Sequence, residues 1–152
     1  MTDYMAAALE EAYSGIRSHH GGPFGSVIVR DGVIVGRGHN CVLLNNDPTA
    51  HGEMMAIRDA CRNLGTYDLT GCALYTTAEP CPMCLGGILW ANITEIYYGC
   101  NRYDTDKIGF RDDKFYECIS GENKPVRISE CDREECLKLF GEYSSLRNKT
   151  IY

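Results

Sequence analysis

The sequence lacks clusters of basic residues. Its 15 lysines and arginines are outnumbered by 21 aspartates and glutamates, which gives a formal net charge of −6 at pH 7. Proteins that bind a nucleic-acid backbone depend on grouped lysines and arginines. The composition therefore disfavours a nucleic-acid partner or substrate.

A long hydrophobic run is also missing. No apolar stretch approaches the roughly 20 residues that a membrane-spanning helix needs, so we expect no contact with a membrane. The N-terminal segment contains Asp3, Glu10 and Glu11 and no basic region of the kind that opens a secretory signal. The chain has nine cysteines. An odd number of cysteines in a chain without a secretory signal is typical of reduced thiols. We therefore expect a cytoplasmic protein.

The length and the hydrophobic pattern predict one domain over 1–152. A chain of 152 residues is large enough to bury a core without disulfide bonds. The predicted elements are a helix over 3–18 that ends at His19-His20-Gly21-Gly22-Pro23, strands over 24–30 and 33–38 joined by Asp31-Gly32, a helix over 49–64, a strand over 72–77, a helix over 82–91 and a strand over 94–98.

The C-terminal third gives weaker signals. It predicts a long polar loop over 101–114, short strands over 115–119 and 126–128, and a helix over 132–146. The strand–helix–strand order after residue 72, together with the preceding hairpin and helices, indicates an α/β fold. We expect a three-layer α/β/α sandwich with a mixed central sheet.

Two short motifs contain the groups for a metal site. The first is Pro48-Thr49-Ala50-His51-Gly52-Glu53, and the second, Glu79-Pro80-Cys81-Pro82-Met83-Cys84, begins 26 residues after Glu53. Residues at i and i+3 share a helix face, so Cys81 and Cys84 can reach one metal. We predict that His51, Cys81 and Cys84 bind Zn²⁺, which leaves a fourth position for water, as in catalytic zinc sites.

The remaining carboxylate in these motifs has a different predicted role. Glu53 follows His51 by two residues in the first turn of a predicted helix, so it can lie beside the metal without binding it. Zinc lowers the pKa of a bound water to about 7. Glu53 would take a proton from that water and pass it to the substrate. The order His-x-Glu and then Pro-Cys-x-x-Cys is the signature of zinc nucleobase deaminases. It predicts hydrolysis of an exocyclic amine on a base.

The chain also resembles the cytidine-deaminase-like superfamily and, within it, the small bacterial guanine deaminases. The resemblance extends over nearly the whole chain. It is found in Gly21-Gly22-Pro23-Phe24-Gly25, Asn46-Asp47-Pro48-Thr49-Ala50-His51, the cysteine motif followed by Leu85-Gly86, Gly109-Phe110 with the acidic residues after it, and Asn148-Lys149 with the terminal Tyr152. It implies conversion of guanine and water into xanthine and ammonia.

The resemblance implies further site residues. Phe24 would stack on the purine, Asn40 would hydrogen-bond it, and Trp90 would line the pocket. Asp112 would contact the substrate and assist proton transfer, and Tyr152 would close the site. The family forms homodimers that exchange the C-terminal segment, here about 141–152, so Asp112 or Tyr152 would act across subunits. One Zn²⁺ per subunit and a small-molecule nucleobase substrate are expected.

Three alternatives stay open at this stage. Gly52 and the segment Gly36-Arg37-Gly38-His39-Asn40 resemble the fungal-type cytosine deaminases, and Arg111 stands where the guanine branch typically has aspartate. These features favour cytosine as an alternative substrate. A tRNA adenosine deaminase would need a basic surface, against which the net charge of −6 argues. A non-catalytic, structural zinc domain would have no use for Glu53.

Overall fold

A computed structural model describes residues 2–122 and 126–151. Its four strands are β1 (Gly25–Arg30), β2 (Val33–His39), β3 (Ala73–Ala78) and β4 (Glu95–Cys100). They form one sheet in the order β2-β1-β3-β4. Strand β1 is antiparallel to both of its neighbours, whereas β3 and β4 are parallel. The sheet is therefore mixed, as predicted.

Helices cover both faces of this sheet. The helices in the described residues are α1 (Asp3–Arg17), α2 (Val42–Asn45), α3 (Gly52–Leu64), α4 (Pro82–Trp90), α5 (Arg102–Lys107), α6 (Asp112–Ser120) and α7 (Arg133–Ser145). Helix α1 packs on one face of the sheet, where Val27 and Val29 of β1 contact Ala8 of the helix. The opposite face presents Ile28, which packs with α3 and with Ile88 of α4. The predicted three-layer α/β/α architecture is confirmed.

The local signals for the N-terminal half correspond to the observed structure. The Thr2 hydroxyl accepts a hydrogen bond from the Met5 N–H and caps α1. Asp31 and Gly32 both have positive φ, 51° and 79°. This is the conformation that the two central residues of a type I′ hairpin turn require.

Close contact between β2 and α3 explains the two glycines of Gly36-Arg37-Gly38. A Cβ on Gly36 would lie 2.5 Å from the carbonyl oxygen of Ala56, and one on Gly38 would lie 2.4 Å from its amide nitrogen. No side chain fits between the helix backbone and the strand at these two positions. These two glycines of the pattern that suggested cytosine therefore have a packing cause.

The predictions for the C-terminal third were partly wrong. The expected loop over 101–114 contains α5 and the start of α6, and the expected strand over 115–119 lies within α6. The expected strand over 126–128 is irregular backbone. A capping box explains α5, because the Asn101 side chain accepts from the Asp104 N–H while the Asp104 carboxylate accepts from the Asn101 N–H. The helix predicted over 132–146 corresponds to α7.

Two further findings concern the whole described chain. Among the described residues, no helix has the length and apolar character required to cross a membrane. All nine cysteines are described, and each is a free thiol. The organisation as one domain stays a prediction.

Candidate active site

The N-terminal ends of α3 and α4 meet at one point. His51 is the N-cap of α3, with extended backbone, and Glu53 lies in the first turn. Cys81 is the N-cap of α4, Pro82 occupies the first turn, and Cys84 lies one turn in. Because a helix N-terminus favours negative charge, both ends suit thiolate and carboxylate groups.

The three predicted zinc ligands are close enough to share one ion. His51 Nδ1 lies 3.6 Å from the Cys81 sulfur and 3.5 Å from the Cys84 sulfur. Ordinary Zn–N and Zn–S bonds at a tetrahedral angle place nitrogen and sulfur about 3.6 Å apart. The spacing of the donors thus suits Zn²⁺, and their role as ligands stays a prediction.

Protons are shared unequally in this cluster when no metal is bound. Hydrogen bonds that Cys84 and His51 donate to the Cys81 sulfur lower the pKa of the Cys81 thiol to about 4. The hydrogen bond to Cys81 raises the pKa of His51. The pKa of Cys84 is raised because it donates to Cys81 and is buried. Zinc binding would therefore release a proton from Cys84.

Glu53 is buried beside this cluster. Its side chain is 5% exposed, and desolvation by burial raises the pKa of its carboxyl from an ordinary 4.5 to about 7. A carboxyl that titrates near neutral pH both accepts and donates protons efficiently there. The arrangement is suited to acid–base chemistry.

A cavity of about 410 Å³ opens onto Glu53, His51 and Cys81. That volume lies in the range of small-molecule sites. Phe24 forms part of its wall, and its ring meets the ring of Phe110 edge-on, with centroids 4.9 Å apart and planes at 80°. The cavity thus offers an aromatic surface next to the metal cluster.

Asn40 contributes a directed polar group to the same cavity. It is 4% exposed, and its backbone N–H donates to the Phe24 carbonyl. The side-chain Oδ1 accepts from the Val42 N–H at 3.1 Å. Because this bond occupies the oxygen, Nδ2 is the end of the amide that is available to donate to a ligand.

Asp112 also lines the cavity of its own chain. It is the first residue of α6, and burial together with the nearby charge of Cys81 raises its pKa. Helix α6 is fixed to the metal-site loop because the Tyr116 hydroxyl donates to the Pro80 carbonyl. Asp113 forms an ion pair with Arg102 at 3.4 Å.

Two predicted substrate residues are not placed in this cavity. Trp90 ends α4, is 68% exposed and borders a separate surface depression with Leu89. In the described part of the chain it does not line the cavity, because its helix points it away from the N-terminal end that holds Cys81. The single chain thus does not bring Trp90 to the cavity, and its role in the pocket stays a prediction. Tyr152 lies outside the described residues.

Phe110 and Arg111 are among the cavity residues that had no predicted role. Phe110 supports Phe24, and Arg111 stands next to Asp112 at the start of α6. The signal for both is their position in the Gly-Phe-x-Asp segment, in which the resemblance implies a site role for Asp112 alone. The contact between Phe24 and Phe110 joins residues that are far apart in the chain, so the sequence around either residue does not indicate it.

Comparison with known proteins defines the class. Residues 1–100 match the family of the cytidine and deoxycytidylate deaminase zinc-binding region. The chain belongs to this family of zinc-binding deaminases, and the resemblance found in the motifs is confirmed.

Individual relatives are similar over different shares of the chain. Guanine deaminase from Bacillus subtilis is 41% identical over 98% of this chain and 97% of its own length. Its crystal structure superposes with a TM-score of 0.93 over 100% of this chain and 99% of that chain, at 40% identity. The tRNA-specific adenosine deaminase of Aquifex aeolicus is 41% identical, but over 62% of each chain. A solved complex with 2,6-diaminopurine is 28% identical, with a TM-score of 0.68 over 98% of this chain and 83% of that chain.

Proposed function

We propose that the protein is a zinc-dependent guanine deaminase, which converts guanine and water into xanthine and ammonia. One juxtaposition carries the proposal: the buried Glu53 carboxyl lies beside the His51–Cys81–Cys84 cluster in a cavity with an aromatic wall. The full-length similarity to the Bacillus subtilis enzyme supports guanine as the substrate. Among the tRNA adenosine deaminases, the Aquifex aeolicus enzyme is similar over 62% of the chain, and the Buchnera aphidicola enzyme is similar over 92% of it at the lower identity of 34%.

The metal site would hold one catalytic Zn²⁺ per subunit. Bound there, zinc would lower the pKa of a water molecule to about 7 and so supply the nucleophile at neutral pH. Glu53 would accept a proton from that water and deliver it to the ring nitrogen next to the amine-bearing carbon. With the C–O bond formed, Glu53 would take the proton of the new hydroxyl group and deliver it to the amine. The C–N bond then breaks, the hydroxyl oxygen becomes the carbonyl oxygen of the product, and ammonia leaves.

The other cavity residues would orient the base. The Phe24 ring offers a face for stacking on the purine, and aromatic stacking suits a flat heterocycle. The Asn40 amide would donate from Nδ2 to an acceptor on the ring. Asp112 would accept from a ring N–H or the amine, on the side of the cavity near Cys81.

Cytosine is less well supported as a substrate. Gly36 and Gly38 are explained by the contact with α3, and Gly52 has a similar cause. A Cβ on Gly52 would lie 3.0 Å from the Phe24 carbonyl oxygen and 3.3 Å from the Ser26 hydroxyl. The Phe24 backbone therefore lies close to Gly52, and a side chain at position 52 would push on it. This packing accounts for Gly52 without any preference for a pyrimidine.

A homodimer that exchanges the segment 141–152 would account for the exposed C-terminal part. None of the residues of α7 is buried in the single chain, and large apolar side chains are exposed along it and beyond it: Leu137, Leu139, Phe140, Tyr143, Leu146 and Ile151. Exposed apolar surface of this extent is typical of an interface. Asp112 would act in its own chain and Tyr152 in the partner's site.

Complementation tests the exchange. Glu53→Gln and Tyr152→Ala proteins would each be nearly inactive alone. If Tyr152 acts across subunits, a mixed dimer has one site with Glu53 from one chain and Tyr152 from the other. Activity should then return after unfolding and refolding the two together. Without recovery in mixtures that light scattering identifies as dimers, the exchange would be wrong.

The proposed reaction is tested by ammonia release from the zinc-loaded protein with guanine, cytosine, adenine and guanosine side by side. We expect turnover of guanine. The Glu53→Gln variant should lose about 10²- to 10⁴-fold in kcat while it keeps its zinc content. Turnover of cytosine with guanine inert would refute the substrate, and full activity in Glu53→Gln would refute the mechanism.

A further inference from the structure

A second group of metal-binding side chains lies behind the cavity wall. His20 stands in the loop between α1 and β1, His39 ends β2, and Cys41 follows it by two residues. Their donor atoms all lie within 4.8 Å of one another. We propose that His20, His39 and Cys41 bind a second Zn²⁺, separate from the ion at His51. The inference is independent of the proposed guanine deaminase activity.

The orientation of His39 suits a metal ligand. Its Nδ1 lies 3.0 Å from a carboxylate oxygen of Glu11, on α1. A carboxylate accepts, so Nδ1 carries the proton and Nε2 presents its lone pair on the other side of the ring. Metal-bound histidines commonly have a carboxylate on the second nitrogen, which fixes the ring and makes it more basic. Glu11 supplies that partner here.

In the metal-free chain the lone pair on His39 Nε2 accepts a hydrogen bond from His20. His20 Nδ1 lies 2.9 Å from His39 Nε2, so a proton on His20 lies between the two nitrogens. Two imidazoles on a tetrahedral zinc ion have their nitrogens about 3.3 Å apart. Zinc would replace this proton after the nitrogens separate by a few tenths of an ångström and His20 turns toward the ion. The partly exposed loop that contains His20 can accommodate this change.

Cys41 would complete a ligand set of two imidazoles and one thiolate. It is 7% exposed, and burial followed by the charge of Glu11 raises its pKa. It is therefore a thiol without metal and would lose its proton when zinc binds. Nitrogen and sulfur ligands of this kind favour Zn²⁺ over Mg²⁺ or Ca²⁺. The fourth position would be left to water.

Each proposed ligand is next to a residue of the cavity wall. His20 precedes Gly21, and both His39 and Cys41 adjoin Asn40; Gly21 and Asn40 both line the cavity. A zinc ion here would join the end of α1 to the end of β2 and hold this wall in place. We expect this ion to raise the thermal stability of the protein, because it binds the folded chain.

Native mass spectrometry with excess Zn²⁺, followed by removal of loosely bound metal, tests the proposal. We expect two zinc ions per chain in the wild type and one each in His51→Ala and His20→Ala, because these variants lose different sites. The double variant should bind none. His19→Ala, in the exposed neighbour of His20, is the matched control and should keep two.

The remaining variants separate loss of the site from loss of the fold. Cys41→Ser should also bind one zinc ion, whereas Cys61→Ala should keep two. Circular dichroism should show an unchanged fold in each. In the His51→Ala background, added Zn²⁺ should raise the melting temperature, and His20→Ala should abolish that rise. A wild type that binds one ion, or His20→Ala and Cys41→Ser proteins that retain two, would overturn the proposal and leave a hydrogen-bonded Glu11–His39–His20 chain.

Discussion

The ring of Phe24 meets the ring of Phe110 edge-on, at 4.9 Å between centroids and 80° between planes. Phe110 follows β4 by ten residues, so the contact joins the N-terminal half of the cavity to the loop before α6. Both rings line the cavity that reaches Glu53. The orientation of the Phe24 ring, which this contact restricts, would decide how a base lies against Glu53.

The first prediction follows from this pair. Phe24→Ala should lower kcat/KM about 10- to 100-fold, because stacking of a base on an aromatic ring contributes about 1–3 kcal/mol. Phe110→Ala should cost about 3- to 10-fold, since an aromatic pair contributes about 0.5–1.5 kcal/mol. Tyr13→Ala removes an exposed ring on α1 and serves as the control. Steady-state kinetics that show equal values for all three would exclude the stacking role.

The second prediction concerns the side-chain amide of Asn40, whose oxygen and nitrogen have different partners. Its Oδ1 accepts from the Val42 N–H, so Asn40→Asp keeps that acceptor, loses the Nδ2 donor and places a carboxyl group at the cavity wall. We expect Asn40→Asp to fold with its zinc intact and to bind guanine with a KM raised about 10-fold or more, because a neutral hydrogen bond of about 0.5–1.5 kcal/mol is lost and a carboxylate repels an acceptor on the ring. Asn40→Ala should in addition be less stable, because the Val42 N–H loses its partner. If Asn40→Asp binds guanine normally, the amide donates nothing to the substrate.

The helix-sheet contact at Gly36 gives the third prediction. Gly36→Ala would press a methyl group against the Ala56 backbone at 2.5 Å, so α3 must move off β2. We expect a loss of about 1–3 kcal/mol in the free energy of unfolding. Gly86→Ala, in α4, meets nothing within 4 Å and should be neutral or gain about 0.5–1 kcal/mol. Urea denaturation compares the two, and equal stabilities would contradict the close approach.

The elements with strong local signals were predictable from the sequence. The hairpin at Asp31-Gly32 and helix α4 with Pro82 in its first turn have signals within a few residues, and the structure places both within a residue or two of the prediction. Helices α5 and α6 are six and nine residues long, rich in charged and polar residues, and anchored by contacts from elsewhere, such as that of Tyr116 with Pro80. Their local sequence therefore suggested a loop.

The site was predictable only where its residues occur in one motif. His51 with Glu53, and Cys81 with Cys84, are close in the sequence, and the ends of two helices bring the pairs together. The contact of Phe24 with Phe110 and the group formed by Glu11, His20 and His39 depend on how the strands and α1 are arranged. We interpreted His20 as part of a helix end, because nothing near it in the sequence indicates His39 as its neighbour.

The last prediction concerns pH and the stability of the zinc-free protein. Burial raises the pKa of Glu53 to about 7 in the folded chain, from an ordinary 4.5. The folded state therefore holds this proton more tightly than the unfolded state does. Well below the unfolded pKa the carboxyl is protonated in both states and makes no pH-dependent contribution to stability. As the pH rises toward the folded pKa, the unfolded chain ionises first and the folded protein loses stability.

Glutamine removes this loss because it does not ionise. After zinc is removed, Glu53→Gln and wild type should have similar free energies of unfolding near pH 4.5 and should diverge up to pH 7 and above. The variant should then be more stable by at most about 3 kcal/mol, which corresponds to the shift in pKa. Glu122→Gln, at an exposed carboxyl, is the matched control. Denaturation curves that stay parallel across this range would mean that Glu53 is not buried in the folded chain, and its proposed place beside the metal would have to be abandoned.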